Sequence, residues 1–400
     1  MALTPDSSTL EQKLQEVRSE FDLDSGNRMS GRGAFVLRQA LAEAPYVLIG
    51  EDHFTREIPR FVAAVCDAMA ADGGLTAMAV EAGPQAAKMV SSSLRQPDRV
   101  AQTAALLRQY PDSVAFLNDR QENDLVSHCA ETSGRSDFQL WGIDQEFLGA
   151  AGWLLDQILA THPGPAATQE LKLLKTQEQE SSTRAAETGD PGKLFLLTAA
   201  DAELVKAAEV LRREGTPQAN ELFRELIVSH EIYQKNATSG PDSNAERALL
   251  LKQNFQHDLD AIPSRDRRQR VLVKMGDWHL YKGFNPLHQR DLGNYIAEVA
   301  DVQGVQSLHI CVLGAKGTHS GYGGYRRPPR REPFILDQDS SYRWMKPAVD
   351  NQVTKGWTVY DLRKLRFQKI ADLDPDFSRL IEGYDLLVIF PELSPAEMID

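Results

Sequence analysis

The sequence contains few cysteines and no long apolar run. Three cysteines, Cys66, Cys129 and Cys311, occur in 400 residues, widely spaced and without a CxxC pair. This scarcity argues against a disulfide framework and a zinc ribbon, so we expect three reduced, buried side chains. No stretch approaches the roughly 18 consecutive apolar residues of a membrane-spanning helix, so no membrane span is expected.

The N-terminus also lacks the basic start and apolar run of a secretion signal. Together with the unpaired cysteines, this favours a cytoplasmic protein, and an exported form is possible only if a signal has been removed.

Positive charge is scarce relative to negative charge. The chain has 44 Lys and Arg against 57 Asp and Glu, for a net charge of -13. An acidic surface of this kind repels phosphate backbones, so nucleic acid is not an expected partner. The expected partner is a small-molecule substrate. A hydrophobic content of 42% with 25% charged residues is ordinary for a globular chain, which excludes global disorder and a coiled coil.

Seven short apolar runs are the main structural signal. They cover residues 45–50, 76–80, 139–143, 270–275, 308–313, 357–360 and 385–390. Continuous apolar runs separated by helical segments are typical of strands that are covered by helices on both faces. We therefore predict an α/β fold with a largely parallel, mixed central sheet flanked by helices.

The periodicity changes along the chain in a way that suggests four segments of one integrated domain. Residues 1–44 hold two predicted helices, over 9–21 and 33–44, and residues 45–150 form the first half of the α/β core. Residues 151–265 form a helical insertion, and residues 266–400 form the second half of the core with a long loop at 314–333. Three long helices are predicted inside the insertion, over 201–213, 219–235 and 244–261.

Acidic and histidine side chains gather where the predicted strands end. The strands are followed by Glu51 and His53, by Glu81, by Asp144, and by Asp277 and His279. The carboxyl ends of parallel strands open onto one crevice, where ligands bind. A carboxylate beside an imidazole serves either a general base or a metal ion, so these residues predict a catalytic or metal site. Asp144 has a structural alternative as a helix cap.

Two further segments carry candidate binding residues. Arg247 lies on a helix that is apolar on most sides, and a buried arginine needs an anionic partner such as Glu81 or a substrate oxyanion. The long loop contains Tyr322 and Arg326, which are either solvated or folded over the site to hold an anionic group. The residues expected to contact substrate are Glu57, Asp144, Asp277, Tyr322 and Arg326.

These motifs, in this order, resemble the erythromycin esterase-like family. The resemblance covers roughly residues 45 to 295 and depends on Gly50-Glu51-Asp52-His53 with Thr55 and Glu57, on Glu81, on Arg247 with Asn254, and on Met275-Gly276 with His279. More broadly they resemble the superfamily of ChaN-type haem-binding lipoproteins and Tiki metalloproteases.

The resemblance implies a hydrolase that cleaves an ester or lactone with activated water and no cofactor. His53 would be the general base, oriented by Glu51 or Glu57, while Glu81, Arg247 and His279 would orient the base and stabilise the tetrahedral intermediate.

Three alternatives use the same residues. Glu51, His53, Glu81 and His279 could instead hold a divalent metal such as Mn, Co or Zn in a metal-dependent hydrolase or peptidase. The cleft could also bind haem or another small ligand without chemistry, with His319, Tyr322 or Tyr325 as an axial ligand or lid. In the third alternative the polar residues only cap helices.

Overall fold

The structure is a computed structural model that describes residues 8–71, 74–263 and 269–399. The N-terminal segment 1–7 and the predicted segment boundary between residues 265 and 266 lie outside the described residues. Among the described helices, none combines the length and the apolar character needed to cross a lipid bilayer.

Among the described residues, nine strands form a central mixed sheet in the order β2-β1-β10-β11-β7-β3-β6-β4-β5, and β8 pairs with β9 in a separate hairpin. The strands are β1 (Arg18–Leu23), β2 (Met29–Ser30), β3 (Tyr46–Glu51), β4 (Leu75–Val80), β5 (Gln139–Gly142), β6 (Arg270–Gly276), β7 (Ser307–Gly314), β8 (Lys316–Gly321), β9 (Arg330–Ile335), β10 (Trp357–Asp361) and β11 (Leu386–Phe390). The six strands from β11 to β5 are parallel, whereas β10, β1 and β2 are antiparallel. The predicted α/β fold class is confirmed.

Helices cover both faces of the sheet. They are α1 (Leu10–Val17), α2 (Arg32–Glu43), α3 (Glu57–Ala70), α4 (Pro84–Ser93), α5 (Arg99–Gln109), α6 (Arg120–Thr132), α7 (Ala151–Ala160), α8 (Pro165–Thr188), α9 (Phe195–Thr198), α10 (Asp201–Glu214), α11 (Pro217–Thr238), α12 (Gly240–Ala261), α13 (Leu292–Gln303), α14 (Lys346–Asp350) and α15 (Pro375–Gly383). On β3, Val47 and Ile49 pack into one core while Leu48 packs into the other. Burial on both faces explains why the strand is apolar at consecutive positions.

The described residues between β5 and β6 are mostly helical, from α7 to α12. Helices α7 to α11 share a core of their own, which includes Leu155, Leu171 and Leu226. Helix α12 instead packs on the sheet through Leu251 and Phe255. The insertion is therefore joined to the sheet by the helix that carries Arg247.

The prediction of one helix over residues 9–21 is wrong beyond Val17. Residues Arg18–Leu23 form β1, which pairs antiparallel with β10. Ser19 and Phe21 are buried while Glu20 and Asp22 are exposed, which is the two-residue alternation of a half-covered strand. Phe21 also fits a helical pattern that starts at Leu10, so pairing with a distant strand decides its conformation.

The predicted long loop at residues 314–333 is also wrong. Most of it belongs to the hairpin of β8 and β9, in which Gly321 is paired with Arg330. The glycine- and proline-rich turn is confined to residues 322–329. The glycines and prolines do form a turn, but that turn occupies only the tip of the hairpin.

The expectation of three unpaired cysteines is wrong for two of them. Cys66 on α3 and Cys129 on α6 form a disulfide, whereas Cys311 is free and buried. Helices α3 and α6 pack side by side, which brings together two cysteines 63 residues apart in the sequence. The argument for a cytoplasmic location from reduced cysteines therefore does not hold.

Candidate active site

The carboxyl ends of β3, β6, β4 and β5 lie side by side at one edge of the sheet. Glu51 is the last residue of β3 and pairs in register with Gly276, the last residue of β6. Glu81 follows β4 directly, and Asp144 follows β5 by two residues. This arrangement brings the acidic and histidine side chains of four sequence segments into one site.

His53 lies between two carboxylates. Its Nδ1 is 3.0 Å from Oε1 of Glu51, and its Nε2 is 3.3 Å from Oε2 of Glu81. Burial opposes protonation, but Glu81 and Glu51 outweigh it and raise the pKa of His53 to about 10. At neutral pH the ring is therefore an imidazolium that donates to both carboxylates. Its side chain is 24% exposed, so one side faces the cleft.

Glu81 is held by donors from three other parts of the chain. Its Oε2 accepts from the backbone N–H of Gly276 at 2.6 Å, and its Oε1 accepts from Nη2 of Arg247 at 2.7 Å. Burial opposes ionisation, yet His53 and Arg247 lower the pKa of Glu81 well below its usual value. A Cβ atom at Gly276 would lie 2.9 Å from Nε2 of His53, so a side chain there would displace the imidazole.

Arg247 joins the insertion to the strand ends. Its Nε donates to Oδ1 of Asp144 at 3.0 Å, and Nη2 donates to Oδ2 of the same carboxylate. Nη1 donates to Nε2 of His279 at 3.1 Å. With the bond to Glu81, these contacts use four of the five guanidinium N–H groups. The fifth, on Nη1, has no partner in the part of the chain that the structure describes.

His279 is oriented by an aspartate that the sequence analysis did not identify. Its Nδ1 is 2.8 Å from Oδ2 of Asp291, the residue that also caps α13 through Leu292 N–H. A guanidinium has only donors, so Nε2 of His279 must accept from Arg247 and the proton must sit on Nδ1. Burial and Arg247 oppose protonation of His279, while Asp291 and Glu81 raise its pKa. Protonation would break the bond to Arg247.

Lys274 lies behind Glu51, on β6, and was also missed. Its Nζ donates to Oε1 of Glu51 and, at 2.6 Å, to Oε1 of Glu122. The side chain is only 4% exposed, and burial of Glu122 raises the pKa of that carboxyl to about 8. A sequence signal for this residue exists, because it is the one charged side chain within the apolar run Val271–Met275. A charge that is buried in a strand needs a partner.

A cavity of about 650 Å³ opens beside His53. Phe54 and Phe116 lie between the cavity and His53. The ring centroid of Phe116 is 4.3 Å from that of the His53 imidazole, and the two phenylalanine rings stack with their centroids 5.3 Å apart. Both have positive φ values, 58° and 56°, a conformation that costs a bulky residue roughly 1–3 kcal/mol and that clusters at functional sites. Tyr322 and Arg326, predicted to bind substrate, line this cavity.

The remaining predicted residues lie at different distances from this centre. Asp144 binds Arg247, as described above. Asp277 is buried and accepts from the hydroxyl of Tyr342 at 2.9 Å, and burial raises its pKa to about 7. Glu57 accepts from the backbone N–H of Ser394 at 2.8 Å and has no contact with His53. Of the two carboxylates predicted to orient His53, only Glu51 contacts it.

The predicted metal-binding residues are close together but already hold cations. Lys274 occupies Oε1 of Glu51, and Arg247 occupies Oε1 of Glu81, so two fixed positive charges would repel a divalent ion. Within the described ranges, no group of three or more His, Cys, Asp or Glu side chains is arranged to hold a metal. These residues do not fit the metal alternative.

The three residues considered as haem ligands lie in the hairpin, His319 on β8 and Tyr322 and Tyr325 in the turn. Nδ1 of His319 is 3.4 Å from Oδ2 of Asp52, and its Nε2 is 3.5 Å from Oε2 of Glu332. The hydroxyl of Tyr322 donates to Asp112 at 3.0 Å, and Tyr325 is buried. Haem binding stays an untested prediction.

No protein-family model matches the sequence, and the search of curated proteins found no match. Three solved structures are similar over nearly the whole chain. A protein from Bacillus cereus has a TM-score of 0.58 at 12% identity, with 98% of each chain covered. A succinoglycan biosynthesis protein has a TM-score of 0.57 at 15% identity, with 97% of each chain covered. Erythromycin esterase EreC, in its open conformation, has a TM-score of 0.61 at 15% identity, covering 96% of this chain and 99% of that one. The chain therefore has an erythromycin esterase-like fold.

Proposed function

We propose that the protein is a hydrolase that cleaves an ester or lactone with water activated by His53. The observation that carries the proposal is the position of His53 between Glu51 and Glu81, with Phe54 and Phe116 between its ring and the large cavity. The erythromycin esterase-like fold supports the same reaction class.

The reaction begins from the neutral form of His53. After Nε2 loses its proton, Nδ1–H still donates to Glu51, which keeps the ring oriented. Nε2 takes a proton from water while the water oxygen attacks the substrate carbonyl carbon. The tetrahedral intermediate then expels the alkoxide, and Nε2 returns the proton to that leaving oxygen.

Arg247 stabilises the oxyanion of the intermediate with the N–H of Nη1 that has no described partner. Removing one such donor typically costs on the order of 3 kcal/mol of transition-state stabilisation. In this geometry His279 contributes indirectly, because its Nε2 accepts from Arg247 and is not available as a donor. His279 is therefore a positioning residue for Arg247.

The test is hydrolysis of a panel of aryl esters and lactones by the wild type, His53→Ala and the control His257→Ala, each with and without EDTA. His257 is an exposed histidine on α12 that contacts only Asp258 in the described part of the chain. We expect turnover that survives EDTA, is lost in His53→Ala and is retained in His257→Ala.

Three other outcomes would contradict the proposal. Turnover that persists in His53→Ala would reject the role of His53. Turnover lost in EDTA and restored by Mn, Co or Zn would favour the metal-dependent alternative. No turnover with any substrate, together with a Soret band after addition of haem, would favour ligand binding.

A further inference from the structure

The cavity beside His53 is lined mainly by apolar and aromatic side chains. Most of the lining is apolar or aromatic and comes from α5 and the segment between α5 and α6, from the segments after β3, β5 and β11, and from the hairpin tip. The apolar members are Phe54, Leu107, Pro111, Ala115, Phe116, Phe147, Leu148, Pro328, Pro329, Met398 and Ile399. A volume of about 650 Å³ fits a ligand the size of a typical small molecule.

The charged groups of the lining have the opposite sign to the chain as a whole. Arg108, Arg326 and Arg327 line the cavity, against the single carboxylate of Asp112 among the described lining residues. Three positive charges and one negative charge give a local balance of +2, in a protein whose net charge is -13. A positive rim on an acidic protein attracts anionic ligands to this opening.

The three arginines are not equivalent. Nη2 of Arg327 donates to the carbonyls of Ala186 and Glu187 at the end of α8, so this guanidinium anchors the hairpin. Arg326 lies over the ring of Tyr325, at 5.7 Å from its centroid, and is exposed. Its side chain can therefore turn to a bound anion without breaking a described hydrogen bond.

The hairpin tip holds Arg326 over the cavity. Tyr325 N–H donates to the carbonyl of Gly189 at 3.1 Å, and Ser320 N–H donates to the carbonyl of Phe54 at 3.2 Å. The hydroxyl of Tyr322 donates to Asp112 across the opening. These contacts join the hairpin to the insertion on one side and to the His53 segment on the other.

Arg326 also borders a second cavity of about 530 Å³, and the two cavities differ in charge. The second cavity is lined by Asp156, Glu178 and Glu187, with Lys175 as its other cation. Asp156 is bound by Lys175 at 2.9 Å. The remaining carboxylates disfavour an anion there, which leaves the apolar cavity as the side where Arg326 would meet one.

We propose that the substrate is an amphipathic ester or lactone whose apolar body fills the cavity beside His53 and whose anionic group, a carboxylate or sulfonate, binds Arg326. That the bound molecule is an ester or lactone rests on the proposed function. The binding of an apolar anion in this cavity does not depend on that function. A charge-assisted hydrogen bond to a guanidinium gives about a tenfold gain in affinity or more.

The first test compares two substrates with the same acyl chain length, one ending in a methyl group and the other in a carboxylate: nitrophenyl hexanoate and the nitrophenyl monoester of hexanedioic acid. In Arg326→Gln, we expect the KM of the acidic ester to rise about tenfold while the KM of the neutral ester is unchanged. The matched control is Arg330→Gln, which removes an arginine from the same hairpin that does not line the cavity. An equal effect on both esters, or the same effect in Arg330→Gln, would overturn the inference.

The second test needs no turnover, and it separates this inference from the proposed function. Anilinonaphthalene sulfonate and neutral N-phenylnaphthylamine are titrated into the wild type, His53→Ala, Arg326→Gln and Arg330→Gln, with fluorescence as the readout. We expect about tenfold weaker binding of the sulfonate only in Arg326→Gln, and equal binding of the neutral probe to all four proteins. Sulfonate binding that does not depend on Arg326 refutes the inference even if the protein hydrolyses esters. Dependence on Arg326 supports it even if no ester is cleaved.

Discussion

His53 and Lys274 bind the same oxygen atom, Oε1 of Glu51, from two sides. His53 contacts it from the cleft, and Lys274 contacts it from the interior of the sheet. Burial opposes the ionisation of Glu51, but Lys274 and His53 outweigh it and lower its pKa. The lysine therefore keeps Glu51 ionised, and an ionised Glu51 is what holds Nδ1 of His53.

Replacement of Lys274 by Met should be strongly destabilising. It leaves the ionised Glu51 buried without its cation, and breaking a buried ion pair from one side typically costs about 3–5 kcal/mol. Chemical denaturation of the wild type and Lys274→Met measures this loss. As a matched control, Lys274→Met combined with Glu51→Gln should regain part of the stability, because the carboxylate left without its cation is replaced by a neutral amide. A double variant no more stable than the single one would show that the loss does not come from an uncompensated charge on Glu51.

The rate should rise with pH if His53 is the general base. The pKa of His53 is raised to about 10, so the neutral form is the minor one at pH 7 and its fraction grows about tenfold per pH unit up to pH 9. Plots of log kcat/KM between pH 7 and 9 should have a slope near +1. The protonated ring also stabilises the fold: this contribution is full below the ordinary pKa of 6.5 and is lost as pH rises through about 10. A rate that stays level over this range and falls only as pH passes about 10 would instead make His53 a general acid.

Asp291 should affect the rate through His279 and Arg247. In Asp291→Asn the charged acceptor of Nδ1–H is lost, so the imidazole proton can move to Nε2, where it would oppose the Nη1 donors of Arg247. We expect kcat to fall by roughly 10- to 100-fold, the usual effect of such supporting hydrogen bonds, with little change in KM.

Asp291 also caps α13, so the rate effect needs a control for lost cap strength. Asp374→Asn changes another aspartate cap, that of α15, where the side chain accepts from Asp376 N–H and has no described contact with His53, His279 or Arg247. This control should lose a similar amount of stability and keep the wild-type kcat. A similar fall in kcat in both variants would contradict the role of Asp291.

The strand ends could be predicted from the sequence because parallel strands that are buried on both faces are continuous apolar runs. The residues that follow those runs, Glu51, His53, Glu81 and Asp144, then share one edge by topology alone. Arg247 could be found because a charge on an apolar helix needs a partner. All five side chains meet in the structure.

Other parts depended on contacts between distant segments. Phe21 fits a helix by spacing, and only pairing with Trp357 places it in a strand. The sequence around Asp291 predicts only a helix cap. Its second role, the orientation of the His279 ring, exists only because His279 lies beside it in the fold. Cys66 and Cys129 become partners through the packing of α3 on α6. No local pattern carries these three relationships.

The strand order has a consequence for how the chain reaches this structure. Strand β6 lies between β3 and β4 and separates them, although it follows the whole helical insertion in the sequence. Without β6, the facing edges of β3 and β4 have no partner strand, and unpaired strand edges are surfaces that favour aggregation. The same strand carries Lys274 and leads into His279, so the pairing that joins β3 to β4 also brings these two side chains to Glu51 and Glu81.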